Sequence, residues 1–168
     1  MSLKLFMETY LNMRWEISFQ IINFNIISHR GCLEGPNNKQ ENAPWQIRKA
    51  LNLGFEVEID LWYTDNKLSL GHDSPTYTIT EDFLTDKMWI HCKNYEAVEY
   101  MSGTNLNWFW HDLDKMTLTS QGKIWCFPDV YIDGGITVQL GKPRRINKNI
   151  LGVCTDYPLE WNKYMELT

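Results

Sequence analysis

Residues 55–73 read FEVEIDLWYTDNKLSLGHD, and this stretch decides how the rest of the chain is read. Val57, Ile59 and Leu61 alternate with Glu58 and Asp60. That period of two predicts a strand with its aliphatic side chains on one face and both carboxylates on the other. At about 3.3 Å of rise per residue, the two acidic Cα atoms lie roughly 6.6 Å apart, close enough for both side chains to hold one hard cation such as Mg²⁺ or Ca²⁺. Thr64-Asp65-Asn66-Lys67 reads as a turn, and the run 68–71 then delivers His72 and Asp73. A solvated strand face would show the same acids, so the neighbouring segments carry the weight.

Upstream, residues 23–28 (NFNIIS) form a short β-branched run ending at His29-Arg30-Gly31. A polar loop follows, and Glu41-Asn42-Ala43-Pro44 opens a helix to about residue 53, with Trp45, Ile47, Ala50 and Leu51 on its apolar side and Gly54 as its stop. Downstream, 79–84 reads as a short capped helix, 88–94 as a strand, 95–101 as a helix and 107–112 as a strand. Residues 118–122 read as a turn, and 123–127, 135–140 and 149–155 as strands, the last reaching Asp156, with a closing helix after it. Eight short strands thus alternate with short helices or loops. His29, His72, His91 and His111 all fall at strand ends.

That arrangement predicts the α/β class and a compact parallel (β/α)8 TIM-type barrel, whose functional groups gather at the C-terminal ends of its strands. Eight such units normally take about 250 residues, so several helices must be shortened to loops, or the barrel left open or incomplete. Residues 25–168 are assigned to this domain. Residues 1–24 are read as an extension, an extra helix or strand covering one end of the fold, with its first residues in part a cloning scar.

The 168 residues suffice for one domain, and 43% apolar with 14% aromatic content suffices for a core. A net charge of −5 without a dense Lys/Arg block argues against a nucleic-acid partner. Cys32, Cys92, Cys126 and Cys154 are far apart and form no C-x-x-C, which argues against zinc knuckles and a disulfide framework and for a reducing, cytoplasmic setting. Cys92 reads as a small hydrophobe facing a helix. No run approaches the roughly 20 apolar residues of a membrane span. Oligomeric state is not legible in the sequence.

His29-Arg30-Gly31, Glu41-Asn42, Glu58-Ile59-Asp60, Thr64-Asp65 and His72-Asp73 together resemble, in order and spacing, the glycerophosphodiester phosphodiesterase family. The likeness covers residues 26–75 and continues more weakly through Trp89 to Lys93, Lys123 to Trp125 and Cys154 to Pro158. It implies a TIM-type barrel, a divalent cation (Mg²⁺ or Ca²⁺) and two catalytic histidines acting on a small-molecule phosphodiester. Carried over by position, His29 and His72 match the catalytic pair, Glu58 and Asp60 match metal ligands, and Glu41 matches a further acid of the metal site. Where the family has Glu-x-Lys this chain has His91-Cys92-Lys93, so the lysine is kept and His91 becomes a candidate ligand in place of the carboxylate. The segment between His72 and that strand is also shorter than in the family.

The chemistry expected is metal-dependent hydrolysis of a glycerophosphodiester-like substrate to a phosphomonoester and an alcohol. The cation acts as Lewis acid, Arg30 and Lys93 bind the phosphate, and His29 and His72 divide the base and acid roles. His111 and Trp125 are candidates for the rim or pocket. Two alternatives stay open: a non-catalytic barrel that binds a phosphoryl ligand, and a lyase-type phospholipase that forms a cyclic phosphate.

Overall fold

A computed structural model describes residues 24–146 and 148–167. The expected extension therefore lies, except for Phe24, outside the described residues. Ten strands follow in chain order: β1 (Asn25–His29), β2 (Glu56–Thr64), β3 (Lys67–Leu70), β4 (Tyr77–Ile79), β5 (Met88–Cys92), β6 (Trp108–Phe109), β7 (Met116–Leu118), β8 (Ile124–Cys126), β9 (Gly135–Val138) and β10 (Gly152–Thr155). The helices are α1 (Pro44–Asn52), α2 (Tyr95–Ser102) and α3 (Pro158–Glu166), with one 3-10 turn at Glu81–Phe83.

Seven strands run parallel in the spatial order β6, β5, β2, β1, β10, β9, β8. Three others run antiparallel to their neighbours: β3 folds back on β2, β4 on β3, and β7 on β8. The register sets the site. His29 of β1 lies opposite Glu58 of β2, and Asp60 lies opposite His91 of β5, which in turn lies opposite Phe109 of β6.

The expected parallel (β/α)8 barrel is overturned. The fold is a mixed, curled sheet that stays open, because among the described residues β6 pairs only with β5 and β7 only with β8. The run at 68–71, expected as a barrel strand, is instead β3 (Lys67–Leu70), the return arm of a hairpin. Asp65 and Asn66 sit at φ 51° and 57°, the doubly left-handed conformation of a two-residue hairpin turn, which reverses the chain and so excludes a parallel strand. Short crossovers are the second cause: β8 and β9 are joined by a loop without a helix, and only three α-helices appear among the described residues. The expected capped helix at 79–84 is reduced to the 3-10 turn, with Thr80 making no side-chain cap.

Curling gives the sheet an outer and an inner apolar layer. Outside, Val57, Ile59 and Leu61 pack with Ile47 and Ala50 of α1 and Ala97 and Met101 of α2, and Cys92 joins them. Inside, Ile27, Trp89, Phe109, Trp125, Ile136, Val138 and Cys154 fill the floor of the curl. Strand β2 is consequently buried on both faces, Glu58 and Asp60 included. Glu56, one step lower on the inner face, accepts the indole N–H of Trp89 at 2.7 Å.

Candidate active site

Above the aromatic floor, the C-terminal ends of β1, β2, β5 and β10 converge. Asp60 is the hub. Its Oδ1 accepts from His91 Nδ1 at 3.0 Å and lies 3.4 Å from Lys93 Nζ, while its Oδ2 accepts from Asn42 Nδ2 at 2.9 Å. Arg30 Nε is 3.0 Å from the same Oδ2, an ion-pair distance without the alignment of a hydrogen bond. Burial alone would raise the Asp60 pKa, but the hydrogen bond from His91 and the charges of Arg30, Lys93 and His91 outweigh it and hold the carboxyl well below the usual range.

Glu58 is equally buried and has poorer partners. Its nearest are the Arg30 backbone N–H at 3.3 Å, His91 Nδ1 at 3.9 Å and His29 Nε2 at 4.0 Å. Burial and the neighbouring Asp60 charge raise its pKa against the weaker pull of His29, Arg30 and His91. Two carboxylates two residues apart are thus driven in opposite directions, by how many donors each has.

His29 Nδ1 donates to Asp156 Oδ1 at 2.7 Å, which fixes the ring and leaves Nε2 as the nitrogen directed at Glu58. His72 Nδ1 lies 2.7 Å from Asp73 Oδ1, and the His72 ring is 44% exposed. Gly71 precedes it: a Cβ there would collide with the Ser74 carbonyl oxygen, so the tight loop carrying His72 requires glycine. His91 also places Nε2 3.3 Å from the His111 carbonyl, so each of its ring nitrogens faces an acceptor. His91 stacks on Phe109 (ring centroids 5.1 Å, planes 7° apart) and on His111 (5.1 Å). Burial, then the His91 and Lys93 charges, lower the His111 pKa.

His29, Arg30, Glu58, His72, His91, Lys93, His111 and Trp125 all line one cleft of about 320 Å³. Of the expected cation ligands, Glu58, Asp60 and His91 offer atoms within 4.8 Å of one another. Glu41 is not among them. It forms a 2.9 Å ion pair with Arg30 and so braces the guanidinium from behind.

Two residues given no role by sequence reasoning turn out to position the site. Asn42 sits at φ 59° and grips Asp60 twice, donating to Oδ2 and accepting the Asp60 backbone N–H at 2.9 Å. Asp156 orients His29 from 127 residues away. Asn42 carried a local signal, since asparagine tolerates the left-handed region. Asp156 carried a weaker one, an acid directly after the last strand. No family model, curated protein or solved structure matches this chain.

Proposed function

We propose that the cleft cleaves a phosphodiester, with His29 and His72 as the acid–base pair and Arg30 and Lys93 as the groups that receive the phosphoryl oxygens. One observation carries this reading: two imidazoles, each with Nδ1 against an aspartate, face the same cleft beside two buried acids and two permanent cations. An aspartate on Nδ1 frees Nε2 to take or give a proton at an ester oxygen. Arg30 is pre-oriented by Glu41 and Asp60, so it opposes the charge building on the phosphoryl group without reorganising.

The donor set fits a divalent cation. Among the described residues, Arg30 and Lys93 are the permanent cations paired with Glu41 and Asp60, Asp156 is paired with His29, and Glu58 is a buried carboxylate short of close partners. Glu58, Asp60 and His91 would hold the ion, His91 giving up its hydrogen bond to Asp60 to do so. When bound, a hard cation supplies Lewis-acid polarisation of the phosphoryl oxygens. The four buried, unpaired cysteines are in keeping with a cytoplasmic protein. No helix among the described residues is long and apolar enough to cross a membrane.

A second reading, phosphoryl-ligand binding without turnover, is favoured by the saturation of Asp60, whose oxygens already have four partners. One assay separates the two. The chain is tested with Mg²⁺, Ca²⁺, Mn²⁺ or EDTA against a glycerophosphodiester and bis(p-nitrophenyl) phosphate, with ³¹P spectra of the products. Metal-dependent turnover that His29→Ala lowers by about 10²-fold or more supports the enzyme. Phosphate binding with no turnover under any metal supports the second reading, and a cyclic phosphate product assigns internal attack.

A further inference from the structure

The cleft has two unlike walls. Opposite the charged side stand Phe109, Trp125, Phe127, Pro128, Val138 and Leu140. Phe109, Trp125 and Val138 are locked into the inner layer, whereas Phe127 and Leu140 are 44% and 38% exposed at the mouth. The Phe127 and His111 rings meet edge to face with centroids 6.0 Å apart, and His111 stacks on His91. The apolar wall therefore starts at Phe109, which stacks directly on His91, and its exposed end at Phe127 is reached from His91 through His111.

The volume points the same way. Taking about 30 Å³ as one water's share of liquid, 320 Å³ holds roughly ten non-hydrogen atoms, and a phosphodiester core needs only five of them. That leaves room for about five more atoms in a cleft whose lining is apolar wherever it is not charged. Two further exposed apolar side chains, Trp110 and Met116 (43% and 46% exposed), belong to segments held near Phe127 by the pairing of Met116 with Cys126 and by the Thr117 hydroxyl bond to the Trp110 carbonyl.

We infer that the site takes a phosphodiester with one apolar ester arm, an alkyl or acyl-bearing alcohol, lying against Phe127 and Leu140. This rests on the phosphodiester reading above and narrows it. Two small polar arms would leave both side chains wet and bring hydroxyls against ring faces that offer no hydrogen bond. An apolar arm releases that water, worth about threefold to fourfold in affinity per buried methylene.

The test uses the full chain with Mg²⁺ or Mn²⁺ and two homologous series. Binding of methyl, butyl and hexyl phosphate is measured by calorimetry, and kcat/KM is measured for the matching alkyl esters of glycerol phosphate. Both should climb about threefold to fourfold per methylene over the first few carbons, and a Phe127→Ser, Leu140→Ser double variant should flatten the climb. Turnover that is independent of chain length overturns the apolar arm while leaving the phosphodiesterase standing. A climb in binding without turnover keeps the arm and removes the hydrolysis. A climb undiminished in the double variant removes the assignment to this wall.

Discussion

The inner faces of β1, β2 and β5 and of β6, β8 and β9 curve around one cleft, yet they are built differently. The first three strands have five, nine and five residues, the second three only two, three and four. The long ladders carry Glu58, Asp60, His91 and His29, charged or ionisable groups kept within 4.0 Å of one another in chains. The short ladders carry Phe109 and Trp125, stacked at 4.6 Å. The contrast has a physical cause. A buried carboxylate depends on donors held at hydrogen-bond distance, which demands a stiff backbone, whereas stacked rings tolerate displacement because dispersion and burial are less directional.

The sharpest way to break this comparison is Asp60→Ala. It strands Arg30, Lys93, His91 and Asn42 around a void, and removing one side of a buried ionic cluster costs about 3–5 kcal/mol. Urea denaturation should show most of the stability gone. A loss below about 1 kcal/mol would mean that the charged arc does not depend on its hub.

Next come the two histidines. His72→Ala should lower turnover of an alkyl diester by about 10²-fold while sparing most activity on bis(p-nitrophenyl) phosphate, because nitrophenolate leaves without a proton. His29→Ala should depress both substrates alike. The inverse pattern exchanges their roles, and two silent substitutions end the enzymatic reading.

A third effect is read as pH dependence. A cation requires Glu58 ionised, and Glu58 is held above the ordinary carboxylate range by burial and by Asp60. Wherever free Glu58 holds its proton a cation must displace it, so Mn²⁺ affinity should rise with pH, by up to about tenfold per pH unit, until free Glu58 has ionised. The metal-free fold responds with both signs. Glu58, raised, contributes stability below its ordinary range that is lost as pH rises through its folded value. Asp60, depressed, contributes stability above its ordinary range that is lost as pH falls below about 4. An affinity flat with pH would remove Glu58 from the cation.

The smallest effect sharpens the boundary between the arcs. Trp89 joins them, its ring tilted against Trp125 with centroids 5.4 Å apart and its indole N–H donated to Glu56. Trp89→Phe keeps a ring and deletes the donor, so it should cost about 1 kcal/mol in denaturation while leaving Mn²⁺ affinity unchanged. A change in that affinity would show that the two arcs are coupled through the floor.

Local chemistry in the sequence determined the alternation that turns Glu58 and Asp60 inward, the turn at Asp65-Asn66, and the strand-end positions of His29, His72 and His91. Each follows from period-two geometry or from a left-handed φ that few residues accept, and neither depends on distant chain. The sense of the 67–70 strand was within reach too, since two left-handed turn residues imply a hairpin. Tertiary structure alone decided that the sheet stays open, that Glu41 braces Arg30 instead of joining Glu58 and Asp60, and that Asp156 holds His29. Those outcomes depend on how many crossovers the chain can cover and on which carboxylate meets which cation across the curl. Such pairings join residues up to 127 positions apart, and no nearest-neighbour preference encodes them.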